Sequence, residues 1–274
     1  MYSAEELKKL ADQVRLDTLR AIHKVKSGHP GGCLSAADIL TVLYFHTMRI
    51  DPDRPKWEDR DRFILSKGHA APALFAVLAR RGYFDLSELD RLRLYDGMLQ
   101  ATPNLHIPGG DMSSGSLGQG LSVGIGMALA GKMDKKDYRV YVMVGDGELE
   151  EGQNWEAIMA APNFRLGNLI LILDNNHVQM CGTTNEIMSI ASPAEKLRSF
   201  GWNVIETDGH DSSSLISVFD SIPKEVDGIP TAVIADTVKG KGVSFMEGKA
   251  AWHGGAPDDQ QMIQIEKELG GDAV

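Results

Sequence analysis

The sequence contains only two cysteines and no long hydrophobic run. Cys33 and Cys181 lie far apart and form no metal-type spacing, so we expect free thiols in a reducing compartment. No apolar run approaches the roughly 20 residues that cross a bilayer. The N-terminus also lacks a basic segment followed by an apolar one, which is the pattern of a targeting leader. These absences predict a cytoplasmic protein without a membrane partner.

Positive charge is scarce as well. The 274 residues carry a net charge of -10, and no basic stripe with interleaved aromatic residues occurs, so we expect no nucleic-acid partner. Hydrophobic residues make up 43% of the chain and charged residues 24%, which is ordinary for a globular protein. Because we find no repeat, low-complexity linker or boundary, we predict a single domain over residues 1–274.

Two apolar runs with a helix-length segment between them dominate the middle of the chain. The first run, 140–144, leads into a turn that contains Asp146, and the second, 169–173, leads into a turn that contains Asn176. This pattern predicts a βαβ unit in a buried parallel sheet. We therefore expect an α/β fold with a doubly wound, mostly parallel sheet and helices on both faces.

Both turns should lie at the carboxyl edge of the predicted sheet, where ligands of open α/β folds bind. Asp146 supplies a carboxylate oxygen and Asn176 an amide oxygen, and such oxygens suit Mg²⁺. Magnesium held this way keeps open positions for phosphate oxygens and water. We therefore predict a diphosphate held through a metal, with ordinary strand-end turns as the alternative.

Two histidines lie in glycine-containing turns in the first third of the chain. His29 belongs to residues 27–32, which are too rich in glycine for a helix and should form a turn close to a ligand. His69 follows a strand predicted at 62–65 and precedes a helix predicted at 70–81, whose N-terminus favours an anion. The alternatives are an incidental surface position for His29 and a helix-capping role for His69.

Three further residues are candidates for ligand contacts. Lys67 shares the turn of His69, so its ammonium should face a phosphate or a substrate oxygen unless it is solvated. His106 lies in a long irregular stretch, 103–120, and long ordered loops are usually functional. His253 lies in another turn, 251–257, which on its own is weak evidence for function.

Apolar periodicity and capping signals predict the remaining elements. We expect helices over 4–26, 36–48 and 86–95, from about 121, from 193 to 200 and over 258–269, and strands over 202–206 and 231–236. We expect His210 to be structural. Asp211 should cap the helix that follows it.

Several of these segments resemble segments of the transketolase family. Gly145-Asp146-Gly147, followed after 27 residues by Asn175-Asn176, resembles the two-part thiamine diphosphate signature. The turns at 27–31 and 66–70 and the loop end at 115–120 resemble turns of transketolases. The second turn differs from that of the related deoxyxylulose phosphate synthases.

The resemblance implies a thiamine diphosphate-binding fold, with thiamine diphosphate and Mg²⁺, or Ca²⁺ or Mn²⁺, as cofactors. It implies that Asp146, Asn176 and the carbonyl of Val178 are the metal ligands. The residues that it implies for cofactor contacts are His69, Gly115, Leu117, Gly145, Asp146, Gly147, Glu151, Asn176 and Val178. Glu151 resembles a carboxylate that links two active sites across a dimer.

The resemblance further implies transfer of a two-carbon ketol unit from a ketose or its phosphate to an aldose or its phosphate, as in pentose phosphate metabolism. The residues that match active-site histidines of the family are His29, His69, His106 and His253. Imidazoles can hold substrate hydroxyls and move protons as the carbon bond breaks. Met180 and Cys181 depart from the family pattern, so the pocket wall near them should differ.

The resemblance also implies a partner. In the family, a buried glutamate from a second α/β domain activates the aminopyrimidine ring, and we do not find that domain in the sequence. We expect a split transketolase in which this chain is the N-terminal subunit. The glutamate should come from a separate C-terminal transketolase subunit with the pyrimidine-binding domain. The expected assembly is a heterotetramer that contains a homodimer of this chain.

Other functions stay open at this point. The chain could belong to another thiamine enzyme, either a ketol transferase for an unusual sugar or the alpha subunit of a 2-oxo acid dehydrogenase, although the turns at 27–31 and 66–69 favour transketolase. It could also be a non-catalytic, cofactor-binding partner subunit. The intact Asp146, Asn176 and loop histidines argue against that second alternative.

Overall fold

The computed structural model describes residues 2–270 and, within them, forms one five-stranded sheet. Its strands are β1 (Arg62–Leu65), β2 (Val140–Gly145), β3 (Leu169–Asn175), β4 (Asn203–Asp208) and β5 (Thr231–Asp236). They are ordered β1-β2-β3-β5-β4, and all neighbours are parallel. Because every strand runs the same way, all carboxyl ends lie at one edge. The predicted parallel α/β sheet is confirmed.

Helices cover both faces of this sheet, as predicted. The α-helices are α1 (Ala4–Val25), α2 (Pro30–Val42), α3 (Ala71–Arg81), α4 (Gln119–Met133), α5 (Gly152–Asn163), α6 (Thr184–Met188), α7 (Pro193–Ser199), α8 (Ser212–Ser221) and α9 (Asp259–Glu268). Among the described residues, no helix combines the length and the apolar composition that a membrane span requires.

The two central strands, β2 and β3, are buried along almost their whole length. Successive side chains of a strand point to opposite faces, so each strand contributes to two cores. Tyr141 and Ile172 pack in the core beneath α1, α2, α3 and α8. Val142 and Leu171 pack in the core beneath α4, α5 and α7. Burial on both faces explains the uninterrupted apolar runs in the sequence.

The strand register aligns the turns that carry the candidate site. Gly145 in β2 is level with Asp174 in β3, and Asn175 in β3 is level with Asp236 in β5. The segments that leave these three strands therefore start side by side.

His210 bridges two distant elements. Its Nε2 accepts the N–H of Val238 at 2.8 Å, so the proton of the neutral ring is on Nδ1 and is donated to Asp38 at 2.7 Å. Asp38 in α2 also pairs with Arg15 in α1, and both side chains are buried. The structural role predicted for His210 is confirmed. It fixes the backbone directly before Lys239.

Capping side chains start two helices as predicted. At α1, the Ser3 hydroxyl accepts the N–H of Glu6 at 3.2 Å, and the Glu6 carboxylate accepts the N–H of Ser3 at 2.7 Å. At α8, the Asp211 carboxylate accepts N–H groups of the first turn. Each of these bonds satisfies an N–H that has no partner within its helix.

The start of α2 differs from the prediction. The helix begins at Pro30 and includes two glycines that were expected to lie in a turn, and it continues from Leu43 to Thr47 as a π-helix. Proline suits the first helical position. Gly31 is required by packing, because a Cβ there would lie 2.7 Å from the carbonyl oxygen of Trp252. Close approach of another loop, and not turn formation, explains this glycine.

Two other boundaries also differ. The helix predicted at 86–95 is a short 3-10 segment, Leu86–Arg91, and Tyr95 beyond it is fully exposed. The helix expected from about 121 already begins at Gln119.

Candidate functional site

A cleft of about 360 Å³ opens at the carboxyl edge of the sheet. Cavities of this size hold small ligands and cofactors. The predicted site residues that line it are His69, Leu117, Gly145, Asp146, Gly147, Glu151, Asn176, Val178 and His253. The fold thus brings together residues from loops that follow β1, β2, β3 and β5.

A buried ion pair lies beneath this cleft. Lys67 Nζ donates to the carboxylate of Asp174 and, at 2.9 Å, to the carbonyl of Gly32. Asp174 is fully buried and also accepts hydroxyl hydrogen bonds from Ser35, at 2.7 Å, and from Thr237. Burial alone raises the pKa of Asp174, but the Lys67 ammonium and these hydroxyls outweigh it and lower that pKa. Lys67 is therefore not solvated, and that alternative is wrong. Lys67 lines the cleft, but its ammonium is already paired with Asp174, so its contact with a phosphate stays a prediction.

Glu148 is a second buried carboxylate under the cleft. Its Oε1 accepts the Ser66 hydroxyl at 2.5 Å and the Gly118 N–H at 3.0 Å, while Oε2 accepts the Gly145 N–H at 3.1 Å. These bonds join the ends of β1 and β2 to the loop before α4. Burial raises the pKa of Glu148.

We call Glu148 and the pair of Lys67 and Asp174 the floor of the cleft. The structural role of these three side chains was not predicted from the sequence. The sequence contains a signal for this role, because each of the three lies at or just beyond the carboxyl end of a buried strand, where a charged side chain must find a partner. Which partner it finds depends on strand order, and the sequence does not show that order.

Asp146 and Asn176 follow β2 and β3 and face the same cleft. Asp146 is 7% exposed, and its carboxylate accepts backbone N–H groups, including that of His177. Asn176 Oδ1 accepts the N–H of Val178 at 3.2 Å. Burial, and then the negative charge of Asp174, raise the pKa of Asp146 to about 6. A cation in the cleft would stabilise the ionised carboxylate.

Lys239, His253 and the carbonyls of Val178 and Gln179 form what we call the wall of the cleft. Lys239 is 2% exposed, and its Nζ donates to the carbonyls of Val178 at 2.9 Å and Gln179 at 3.1 Å. It also donates to Nδ1 of His253 at 3.1 Å. Burial, and then the charge of Lys67, lower the pKa of Lys239 to about 8. This lysine was not predicted as a site residue.

Three histidine rings meet in the cleft. Their ring centroids lie 5.3 Å apart for His29 and His69, 5.5 Å for His29 and His253, and 5.2 Å for His69 and His253. Burial, followed by nearby cations, lowers the pKa of all three, to about 2 for His69 and about 4 for His253. The rings are therefore neutral at physiological pH. Because Lys239 donates to Nδ1 of His253, the proton of that neutral ring is on Nε2.

Two backbone hydrogen bonds assemble these histidines from distant parts of the chain. The N–H of Gly240 donates to the carbonyl of Gly31 at 3.0 Å, and the N–H of Gly255 donates to the carbonyl of Gly28 at 2.9 Å. They hold the loop after β5 against the first turn of α2 and the residues just before it. The site therefore depends on contacts between the N-terminal and C-terminal parts of the chain.

The remaining predicted site residues are less enclosed. Leu117 and Glu151 are exposed at the cleft, and Gly115 lies beside Gly68. His106 is exposed and borders a separate depression of about 120 Å³. The chain thus brings three of the four predicted histidines together, and the catalytic role of His106 stays a prediction.

The oxygen donors near Asp146 suit a divalent cation that keeps other ligands. Within residues 2–270, no cluster of three or more His, Cys, Asp or Glu side chains is placed to hold a metal. The cleft instead offers one carboxylate, the amide oxygen of Asn176 and the carbonyl of Val178. These hard oxygen donors fit Mg²⁺ and leave positions for water or phosphate oxygens.

Comparisons with known proteins identify the family of the chain. The family model for the transketolase thiamine diphosphate binding domain matches residues 6–274. One subunit of the apulose-4-phosphate transketolase of Phocaeicola vulgatus is 43% identical over 265 residues, which are 97% of this chain and 94% of the relative. The 6-deoxy-6-sulfo-D-fructose transketolase subunit SqwG of Clostridium sp. is 45% identical over 249 residues, which are 90% of each chain.

Solved structures agree with this result. The transketolase of Campylobacter jejuni superposes with a TM-score of 0.92 at 29% identity, and the match covers 99% of this chain and 44% of that one. The predicted fold class is confirmed by this likeness. The chain belongs to the transketolase family and corresponds to its N-terminal, thiamine diphosphate-binding part.

Proposed function

We propose that the chain is the N-terminal subunit of a two-subunit transketolase that transfers a two-carbon ketol unit from a ketose, or its phosphate, to an aldose, or its phosphate. One observation carries the proposal. A single cleft joins the oxygen donors of Asp146 and Asn176 to a buried lysine and a cluster of neutral histidines. Family membership supports the reaction class. In this proposal residues 1–274 form one domain.

The donors of the cleft suit thiamine diphosphate with Mg²⁺, or with Ca²⁺ or Mn²⁺. Asp146, Asn176 and the Val178 carbonyl would hold the metal, and Lys239 would face the diphosphate. The other proposed cofactor contacts are His69, Gly115, Leu117, Gly145, Gly147 and Glu151. When bound, the thiamine ring supplies the carbon nucleophile and electron sink that ketol transfer needs.

The neutral histidines would hold and move substrate protons. The Nε2–H of His253 can donate a hydrogen bond to a substrate oxygen, and the buried Nδ1 of His29 has no partner among the described residues. A neutral imidazole has one ring nitrogen that donates a hydrogen bond and one that accepts, so it can hold a substrate hydroxyl and act as the base for its proton. We place His253 and His106 on the donor side, and His29 and His69 nearer the cofactor and the acceptor.

The rim of the cleft supports a protein partner. Leu117, Met180 and Met188 line the cleft and are 37%, 68% and 60% exposed. Apolar side chains that remain exposed around a binding site mark a protein contact. Both relatives are named as subunits of transketolases. The partner that we propose is a C-terminal transketolase subunit that covers this rim and brings the activating glutamate.

The proposed assembly and setting follow the sequence expectations. A heterotetramer that contains a homodimer of this chain satisfies two-fold symmetry. Both cysteines are free, with Cys33 buried and Cys181 exposed, which supports a reducing, cytoplasmic setting.

A transketolase for an unusual sugar is the second candidate. The two relatives are named for apulose 4-phosphate and 6-deoxy-6-sulfo-D-fructose. The cleft chemistry is the same for this candidate, and only the sugar differs.

Reconstitution tests the proposal. The chain, mixed with a C-terminal transketolase subunit that carries the pyrimidine-binding domain, should release glyceraldehyde 3-phosphate from xylulose 5-phosphate when an aldose acceptor, Mg²⁺ and thiamine diphosphate are present. Asp146→Ala should lower the rate by at least about 100-fold, because a metal ligand is lost. Asp236→Ala is the matched control, since this exposed carboxylate also ends a neighbouring strand, and its rate should match the wild type.

Three results would redirect the interpretation. Decarboxylation of a 2-oxo acid in place of ketol transfer would indicate a dehydrogenase subunit. Transfer from an unusual ketose, but not from xylulose 5-phosphate, would favour the second candidate. Calorimetry that detected no binding of magnesium and thiamine diphosphate, with the partner present, would indicate a non-catalytic subunit.

A further inference from the structure

Lys239 contacts the same carbonyl that the proposed function assigns to the metal. Its Nζ donates to the oxygen of Val178 at 2.9 Å. A metal bound to that oxygen would meet the ammonium charge at close range, and like charges repel strongly where water is excluded. The metal and this lysine contact are therefore alternatives at the Val178 oxygen.

The lysine reaches the wall through space that a glycine leaves open. A Cβ on Gly31 would lie 2.9 Å from Cγ and 3.1 Å from Cε of Lys239. The unbranched side chain of Lys239 thus packs against the start of α2, and the single bonds near its ammonium group can still rotate. A small rotation of these bonds can redirect the ammonium without moving the backbone.

All three acceptors of the ammonium are neutral groups. They are the carbonyls of Val178 and Gln179 and the Nδ1 of His253. Among the described residues, no carboxylate forms a salt bridge with Lys239, whereas the equally buried Lys67 has one. A phosphate oxygen carries a negative charge, so it attracts the ammonium by a Coulomb interaction between opposite charges that the neutral carbonyls and the imidazole do not offer. A diphosphate in the cleft would therefore attract the ammonium away from the wall.

We propose that Lys239 is a placeholder for the metal, holding the Val178 and Gln179 carbonyls until a diphosphate draws its ammonium away and frees the Val178 oxygen. This inference rests on the proposed cofactor site. It has a thermodynamic consequence, because each ligand removes an obstacle for the other. A divalent ion that binds alone has to displace the Lys239 ammonium from the Val178 oxygen. When a diphosphate is bound as well, the diphosphate has already attracted the ammonium away, so the two ligands bind cooperatively.

The contact itself is tested on the full-length, metal-free chain by NMR of backbone carbonyls. Lys239→Met should shift the carbonyl resonances of Val178 and Gln179, because their hydrogen bond is lost. Lys241→Met is the matched control, since Lys241 is in the same loop and faces Glu247 instead. Unchanged resonances in Lys239→Met would overturn the proposal.

The exchange is tested with Mn²⁺ and inorganic pyrophosphate as probes. Electron paramagnetic resonance gives the affinity for Mn²⁺ with and without pyrophosphate. In Lys239→Met, Mn²⁺ alone should bind about tenfold more tightly than in the wild type, and the gain from pyrophosphate should be about tenfold smaller, the size expected for one hydrogen bond to a charged group. Equal gains in wild type and variant would overturn the exchange.

One further measurement and one further variant complete the test of the proposal. In the wild type, Mg²⁺ with pyrophosphate should shift the Val178 carbonyl resonance, and Mg²⁺ alone at the same concentration should shift it less. Lys239→Gln replaces Lys239→Met if the latter does not fold. Binding of Mn²⁺ and pyrophosphate without cooperativity would overturn the placeholder alone, whereas no binding of either probe would overturn the cofactor site as well.

Discussion

The floor and the wall of the cleft each hold a buried lysine, but within residues 2–270 only the lysine of the floor has an acidic partner. Lys67 is 1% exposed and pairs with Asp174, while Lys239 is 2% exposed and donates to two backbone carbonyls and an imidazole nitrogen, all of them neutral. A buried charge is costly unless it is paired. The floor therefore serves stability, whereas the wall keeps a charge that our proposal pairs with a ligand. Pairing, and not burial, is what differs between the two lysines.

The largest expected effect comes from breaking the floor. Asp174→Asn leaves the Lys67 ammonium buried without a negative partner, and loss of one member of a buried pair costs about 3–5 kcal/mol. The free energy of unfolding, measured in urea, should fall by that amount. Asp236→Asn, at the exposed end of the adjacent strand, should change it by less than about 0.5 kcal/mol. A loss below about 1 kcal/mol for Asp174→Asn would remove the distinction between floor and wall.

Asp146 lies beside the floor and forms no salt bridge with any lysine, arginine or histidine that the structure describes, so its titration should be visible in the free energy of unfolding. Its pKa of about 6 lies above the ordinary value of 3.8, so folding is favoured by protonation. The stabilisation by protonation is present below about pH 4 and is lost as the pH rises through about 6. Asp146→Asn cannot titrate at this position, so the free energy of unfolding of the metal-free variant, relative to that of the wild type, should rise by up to about 3 kcal/mol across this range. A pH-independent difference would contradict the prediction.

A substitution of Glu148 also tests how much the floor contributes to stability. Glu148→Gln presents an NH2 group to one of three donors, so at least one bond is lost and the free energy of unfolding should fall by about 1–3 kcal/mol. Glu151→Gln, an exposed neighbour, should change it by less than about 0.5 kcal/mol. Similar losses in both variants would mean that the buried bonds of Glu148 add nothing to stability.

The smallest effect is expected for the wall. Lys239→Met removes hydrogen bonds to neutral acceptors but also removes an unpaired buried charge, so the two contributions oppose each other. The free energy of unfolding of the metal-free chain should change by less than about 1 kcal/mol. A loss as large as that of Asp174→Asn would show that the wall lysine is structural too.

The central unit could be predicted because its signals are local. The apolar runs before Asp146 and Asn176 fix the strands, and a parallel sheet places both turns at one edge. The partner of Lys67 could not be predicted, because Asp174 reaches it only through the neighbouring order of β1, β2 and β3. The role of Lys239 could not be predicted for the same reason, since its carbonyl acceptors lie in the loop after β3, a different strand.

The misplaced start of α2 has a different cause. Clustered glycines in a sequence predict a turn, but Gly31 is glycine because the loop that contains Trp252 packs on it. For His106, the sequence motif and the position of the side chain in this chain disagree. Its motif resembles a family segment, whereas the chain by itself leaves that side chain exposed and away from the other histidines.

The bonds from Gly240 to Gly31 and from Gly255 to Gly28 determine when the cleft can exist during synthesis. They close almost the entire polypeptide into a loop, and such distant pairings form late in folding. A chain still emerging from the ribosome, with β5 unmade, has Asp146 and Asn176 but no wall. At the proposed cofactor site, the wall would therefore form only after β5 and the loop that follows it are made, and a bound cofactor would then stabilise the contacts between the N-terminal and C-terminal parts of the chain.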